Sequence, residues 1–147
     1  MSFRFALAPL LRLRQSIERQ RSLQLQEANL QVARTEETAA QLERYLFDSA
    51  QSDFTSLKAG RTGAEIQFAS VLREKLQQYR QELQSDVRKL DVLRQKALGE
   101  YHQAYRDREI LETLRDRQHR EYKQDQLRRQ QQELDASYLL QRWHRRS

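Results

Sequence analysis

Cysteine is missing from all 147 residues, so the chain has no disulfide framework and no thiol chemistry, which suits a reducing compartment. A single proline and three glycines leave few places where a helix must stop. No apolar run approaches the roughly 18 residues of a membrane span. The apolar patch Ala6-Leu7-Ala8-Pro9-Leu10-Leu11 is short and runs straight into Arg12 and Arg14, so it is expected to be a mature cytoplasmic terminus rather than a secretory segment. Catalytic furniture is also scarce. His102, His119 and His144 stand far apart, with no clustered carboxylates at metal-ligand spacing. There is no glycine-rich phosphate loop and no Ser-His-Asp arrangement that a thin helical protein without a pocket would assemble. The expectation is no enzyme activity, no cofactor and no metal.

What the chain has in quantity is charge, Gln, Arg, Glu and Leu, with 33% charged residues. Stepping by sevens from Ala69 gives Leu76, Leu83, Leu90, Ala97, Ala104 and Leu111 without interruption. Leu72, Tyr79, Leu93 and Leu114 follow three residues after four of these, while Val87 and Tyr101 sit one residue further on. A seven-residue apolar repeat keeps one narrow face towards a partner helix, the mark of a coiled coil. The partner lies in the first half. Pro9 suits the first turn of a helix, Leu10, Leu13 and Ile17 share a face, and the seam resumes as Leu25, Ala28, Val32, Ala39, Leu42 and Leu46, broken only by Thr35. Between Ile17 and Leu25 the apolar spacing needs an extra near-turn, which predicts a local change of supercoil.

The two halves are divided by Lys58-Ala59-Gly60-Arg61-Thr62-Gly63. Gly60 is a helix stop that takes positive φ cheaply, and Thr62 to Glu65 has the spacing of a capping box. So short a break turns the chain back on itself. The fold class is therefore all-α: one coiled-coil domain, an antiparallel hairpin with helix one over about 9–59, a turn at 60–63 and helix two over about 64–143. Pairing equal lengths leaves the second helix unpartnered from Arg115 to Trp143, an overhang of roughly 44 Å at 1.5 Å per residue.

Charge is unevenly placed. Residues 1–25 carry five Arg against one Glu, a net +4; residues 26–113 carry thirteen basic against fifteen acidic, a net −2; residues 114–147 carry nine against five, a net +4. The hairpin brings the two basic segments to one end, where an acidic partner is expected. Nucleic acid is not the expected partner, because Asp116, Glu121, Asp125, Glu133 and Asp135 are interleaved with the arginines.

The opening Phe3-x-Phe5-x-Leu7-x-x-Leu10-Leu11-x-Leu13-Arg14 resembles the start of the FliJ family, small coiled-coil proteins of the bacterial flagellar export apparatus. Arg108 through Gln118 to Tyr122, and Gln132-Glu133-Leu134-Asp135, are similar to that family's second half. The resemblance implies a non-enzymatic, rotor-like stalk that inserts into the hexameric export ATPase, promotes its assembly, meets the cytoplasmic domain of the export gate and handles export chaperones. It implies a cytoplasmic protein, peripheral at the cytoplasmic face of the inner membrane and associated with it only indirectly. On that basis Phe3, Phe5, Leu7, Leu10, Arg12, Arg14, Arg128 and Arg129 are the expected ATPase-binding residues. The aromatic residues Tyr45, Phe47, Phe68 and Tyr79, towards the turn, are the expected contacts for the gate. The alternatives are a stalk of virulence type III secretion, a general coiled-coil adaptor, and a nucleic-acid or membrane-surface binder.

Overall fold

The computed structural model describes residues 2–146 and contains two helices, α1 (Ala8–Ala59) and α2 (Gly63–Arg146). Pro9 sits in the first turn of α1, and no glycine interrupts that helix before Gly60. Gly60 takes φ 86°, a left-handed conformation that only glycine adopts without strain. Two residues on, the Glu65 amide donates to Thr62 Oγ1 at 3.3 Å and the Ile66 amide to the Thr62 carbonyl at 3.2 Å, so Thr62 caps α2. The two helices pack against each other as an all-α hairpin.

Each of two compact units takes a segment from both helices. In the unit formed by Gln20–His102, α1 presents Leu25, Ala28, Val32, Thr35, Ala39, Leu42, Leu46, Ser49, Asp53 and Ser56, alternating in steps of three and four. Val32, Leu42 and Leu83 are its most buried side chains. The helix pairing is antiparallel: Arg21, early in α1, reaches Glu100 at 2.9 Å, and Asp53, late in α1, reaches Arg73.

The other unit joins the residues up to Arg19 with those from Gln103 onward. Residues 2–5 are not helical, the chain turns at Ala6 and Leu7, and α1 then lies along α2. Leu11, Ala104 and Leu111 are buried, Leu11 to 3% of its accessible surface. Around them the contacts are polar: Arg14 to Asp107 at 3.4 Å, Gln15 to Glu112 at 3.5 Å, and Glu18 to Arg108, which also holds Glu112 at 2.6 Å.

Three expectations change. The repeat Ala69, Leu76, Leu83, Leu90, Ala97, Ala104, Leu111 does face the partner helix, and Val87, Tyr101 and Leu114 are half-buried beside it, but Leu72, Tyr79 and Leu93 are not its companions: residues four on from the repeat take that place. Arg73, Arg80, Val87, Arg94, Tyr101, Arg108, Arg115 and Tyr122 are half-buried, whereas Leu72, Tyr79 and Leu93 are exposed. Arginine fills such a position because its aliphatic stem covers the seam while the guanidinium reaches a carboxylate at its edge. Asp53 and Glu18 on α1 supply that carboxylate for Arg73 and Arg108.

On α1, Leu10 and Leu13 are exposed, and the packed face runs Leu11, Arg14, Glu18, Arg21, Leu25. Those steps of three and four leave no extra near-turn before Leu25; the seam keeps its phase by placing charged residues in it. Finally, α2 is not bare from Arg115. Gln118, His119, Tyr122 and Gln126 are still half-buried, because the N-terminal strap extends the pairing, and an unbroken run of exposed residues begins only at Leu127 and continues to Arg146. Twenty residues at 1.5 Å each make that segment roughly 30 Å long.

Candidate docking surfaces

In the unit formed by Gln20–His102, the two helices enclose a cleft of ≈ 740 Å³ near the turn. It exists because the α1 seam ends in small or polar residues: Ser49 and Asp53, with Ser52 beside them, do not fill the space that Ala69, Leu72 and Leu76 also line. Tyr45 from α1 and Phe68 from α2 stand at its walls, Phe68 being 71% exposed. An ionic cluster closes one side. Asp53 accepts from Arg61 at 2.9 Å and also binds Arg73, and its own side chain is only 17% exposed. Asp48 and Glu65 also line the cleft, so its two arginines stand among three carboxylates beside an apolar surface.

The four aromatic residues expected to act together are thus divided. Tyr45 and Phe68 share the cleft. Phe47 lies on another face of α1 with Ala50, Gln51, Phe54 and Thr55, where Lys58 Nζ stands 5.0 Å from the Phe54 ring centroid. Tyr79 is exposed and lines neither surface. The Asp53, Arg61 and Arg73 cluster escaped the sequence reading. Its signal was present, since Asp53 continues the α1 seam by steps of three and four from Leu46 through Ser49.

The other unit holds all eight residues expected at the ATPase-binding end. Phe3 packs on its own chain, with ring centroids 4.9 Å from His119 and 5.5 Å from Tyr122. Phe5 is half-buried, while Leu7 and Leu10 are partly exposed. Arg12 and Arg129 are exposed, and so is Arg128, 3.8 Å from Asp125. Arg14 is different: it is engaged by Asp107. Beyond Leu127 the helix carries Leu127, Leu134 and Tyr138 at spacings of seven and four on one face, and Ala136, Leu140 and Trp143 on another, all exposed. A helix that polar gains little stability from its own chain, because these apolar side chains stay exposed.

Arg108 is a half-buried polar link of this unit. Burial lowers its pKa, but the hydrogen bond to Glu18 and the charges of Glu112 and Glu18 outweigh that and raise it above the ordinary arginine range. A raised arginine pKa means that its stabilisation is complete below the unfolded value and is lost only at still higher pH. Arg108 therefore stays cationic under all ordinary conditions, and salt is the variable that weakens its contacts.

The family model described as Flagellar FliJ protein matches residues 3–147. The chain belongs to the FliJ family. That membership makes it a component of flagellar type III export in general terms, built as a two-helix stalk. No curated protein matches this FliJ-family chain, and no solved structure does either. Among the described residues, no helix is long and apolar enough to cross a membrane.

Proposed function

We propose that this FliJ-family protein works without catalytic chemistry of its own, as a stalk that seats its basic end in the hexameric export ATPase and so promotes assembly of the ring. The observation that carries the reading is the family match over residues 3–147. Two others support it: the net +4 on residues 1–25 and on residues 114–147, and the exposed apolar stripes beyond Leu127. Charge orients the docking, and burial of Leu127, Leu134, Leu140 and Trp143 supplies most of the affinity.

In the same reading, the cleft walled by Tyr45 and Phe68 receives the cytoplasmic domain of the export gate, which gives the protein an indirect, peripheral attachment at the cytoplasmic face of the inner membrane. Export chaperones are further partners in this reading, without an assigned surface.

The test uses Arg12→Glu, Arg128→Glu and Arg129→Glu together. Arg14 is left alone because its reversal would also break the pair with Asp107. Binding to the purified ATPase ring is expected to weaken by about tenfold or more, with loss of ATPase stimulation, because several steering charges change sign at once. Unchanged binding and stimulation would remove the basic end from the ATPase contact. For the gate, Tyr45→Ala and Phe68→Ala are expected to abolish binding with an unaltered melting curve, since both side chains are exposed. Phe47→Ala and Tyr79→Ala, outside the cleft, are expected to have smaller effects.

A further inference from the structure

Residues 2–19 and their partners on α2 are joined in a manner that suits release. Leu11, Ala104 and Leu111 are buried there, but the α1 seam positions between Leu11 and Leu25 are Arg14, Glu18 and Arg21, where the next stretch has Ala, Val and Leu. Cross-helix links there include Arg14 to Asp107, Gln15 to Glu112, Glu18 to Arg108, and the Phe3 ring on His119 and Tyr122. Partly exposed ion pairs in such a place are weak individually and are screened by salt, whose Debye length is about 8 Å at physiological ionic strength. A segment whose seam positions are filled by such pairs, and which lies at the chain end of its helix, opens at a lower free energy than the whole protein does.

We propose that residues 2–19 form a charge-held latch on residues 103–122, one that releases and recloses while the pairing of residues 25–46 with 76–97 persists. The inference goes beyond the partners named above and does not depend on them. The direction of release follows from the bonds. Phe3 is held by its ring contacts, the ionic links come next, and Leu11 is the most buried apolar anchor that α1 contributes, with Ala8 and Ile17 half-buried beside it. Release bares Leu11, Ala104 and Leu111 together with the Arg108 and Arg115 positions of the α2 seam. A second helix carrying carboxylates at the matching spacing is then able to take the place of α1. Closing again restores the ion pairs without any change in the turn at Gly60, so the latch works locally.

Hydrogen exchange read by mass spectrometry on the full chain tests this. Between about 0.05 and 0.5 M NaCl, where screening lengths fall from above 10 Å to below 5 Å, amide protection of residues 8–19 and 104–115 is expected to drop by about tenfold. Protection of residues 28–46 and 76–97 is expected to change less than about twofold over the same range, since apolar burial is not screened. The double variant Glu18→Gln with Asp107→Asn is expected to show the lowered protection already at low salt and to lose its salt response. Exchanging the charges, Arg14→Asp with Asp107→Arg, is expected to restore both protection and salt response, which guards against a variant that simply folds badly. Equal changes in the two regions, or no salt response in residues 8–19, would overturn the latch. So would a charge-exchange variant that behaves like the neutral one.

Discussion

Two stretches of α1 meet α2 by different means. Between Leu25 and Leu46 the seam is Leu, Ala, Val and Thr, matched by Leu76, Leu83, Val87 and Leu90 on α2. Between Leu11 and Arg21 the same steps of three and four fall on Arg14, Glu18 and Arg21, matched by Asp107, Arg108 and Glu100. An apolar seam gains from removing surface from water and tolerates salt; a charged seam gains little net energy but accepts only the partner whose charges match. The first arrangement holds the hairpin together, and the second makes one segment of it selective and releasable.

The strongest test of that contrast is Leu83→Ala, at a side chain 6% exposed in the apolar seam, which is expected to destabilise the protein by about 3 kcal/mol in urea unfolding. A loss below about 1 kcal/mol would mean that the apolar seam is not the main support. Next comes Glu18→Gln, whose side chain is 16% exposed against Arg108; a loss of about 1 kcal/mol is expected at low salt and roughly half of that at 0.5 M NaCl. An equal loss at both salt concentrations would erase the distinction between the two seams.

Turning charge into an apolar pair sharpens the comparison from the other side. Arg14→Leu with Asp107→Leu is expected to raise stability by about 0.5–1 kcal/mol, because a hydrophobic pair avoids the desolvation of two charges. It should also lower the salt dependence of protection in residues 8–19 to the part carried by Glu18 and Arg108. The smallest expected effect is at the turn. Thr62→Ala removes the acceptor for the Glu65 amide and is expected to lower the melting stability by about 0.5–1 kcal/mol, leaving the exchange of residues 8–19 untouched.

Local chemistry made much of the fold legible in the sequence. Pro9 in the first turn, the stop at Gly60 and the cap at Thr62 each act through their own backbone and nearest neighbours, so their positions mark where helices begin and end. The cleft near the turn was half legible as a feature of shape. Aromatic residues near the turn pointed towards it, but which of them share a wall depends on how the helices are rotated, and Phe47 and Tyr79 face elsewhere. The two-helix hairpin and its family followed from the chain itself, since a seven-residue repeat, one short break and the Phe3-x-Phe5-x-Leu7 opening are properties of sequence alone.

What the tertiary structure decided was the phase of the seam. Apolarity favours Leu72, Tyr79 and Leu93 as the companions of the repeat, yet Arg73, Arg80 and Arg94 lie nearer the partner helix. A single helix does not distinguish a step of three from a step of four. The choice is made by the facing helix, whose Asp53 and Glu18 hold the Arg73 and Arg108 stems in the seam, while Leu72 and Leu93 stay outside it.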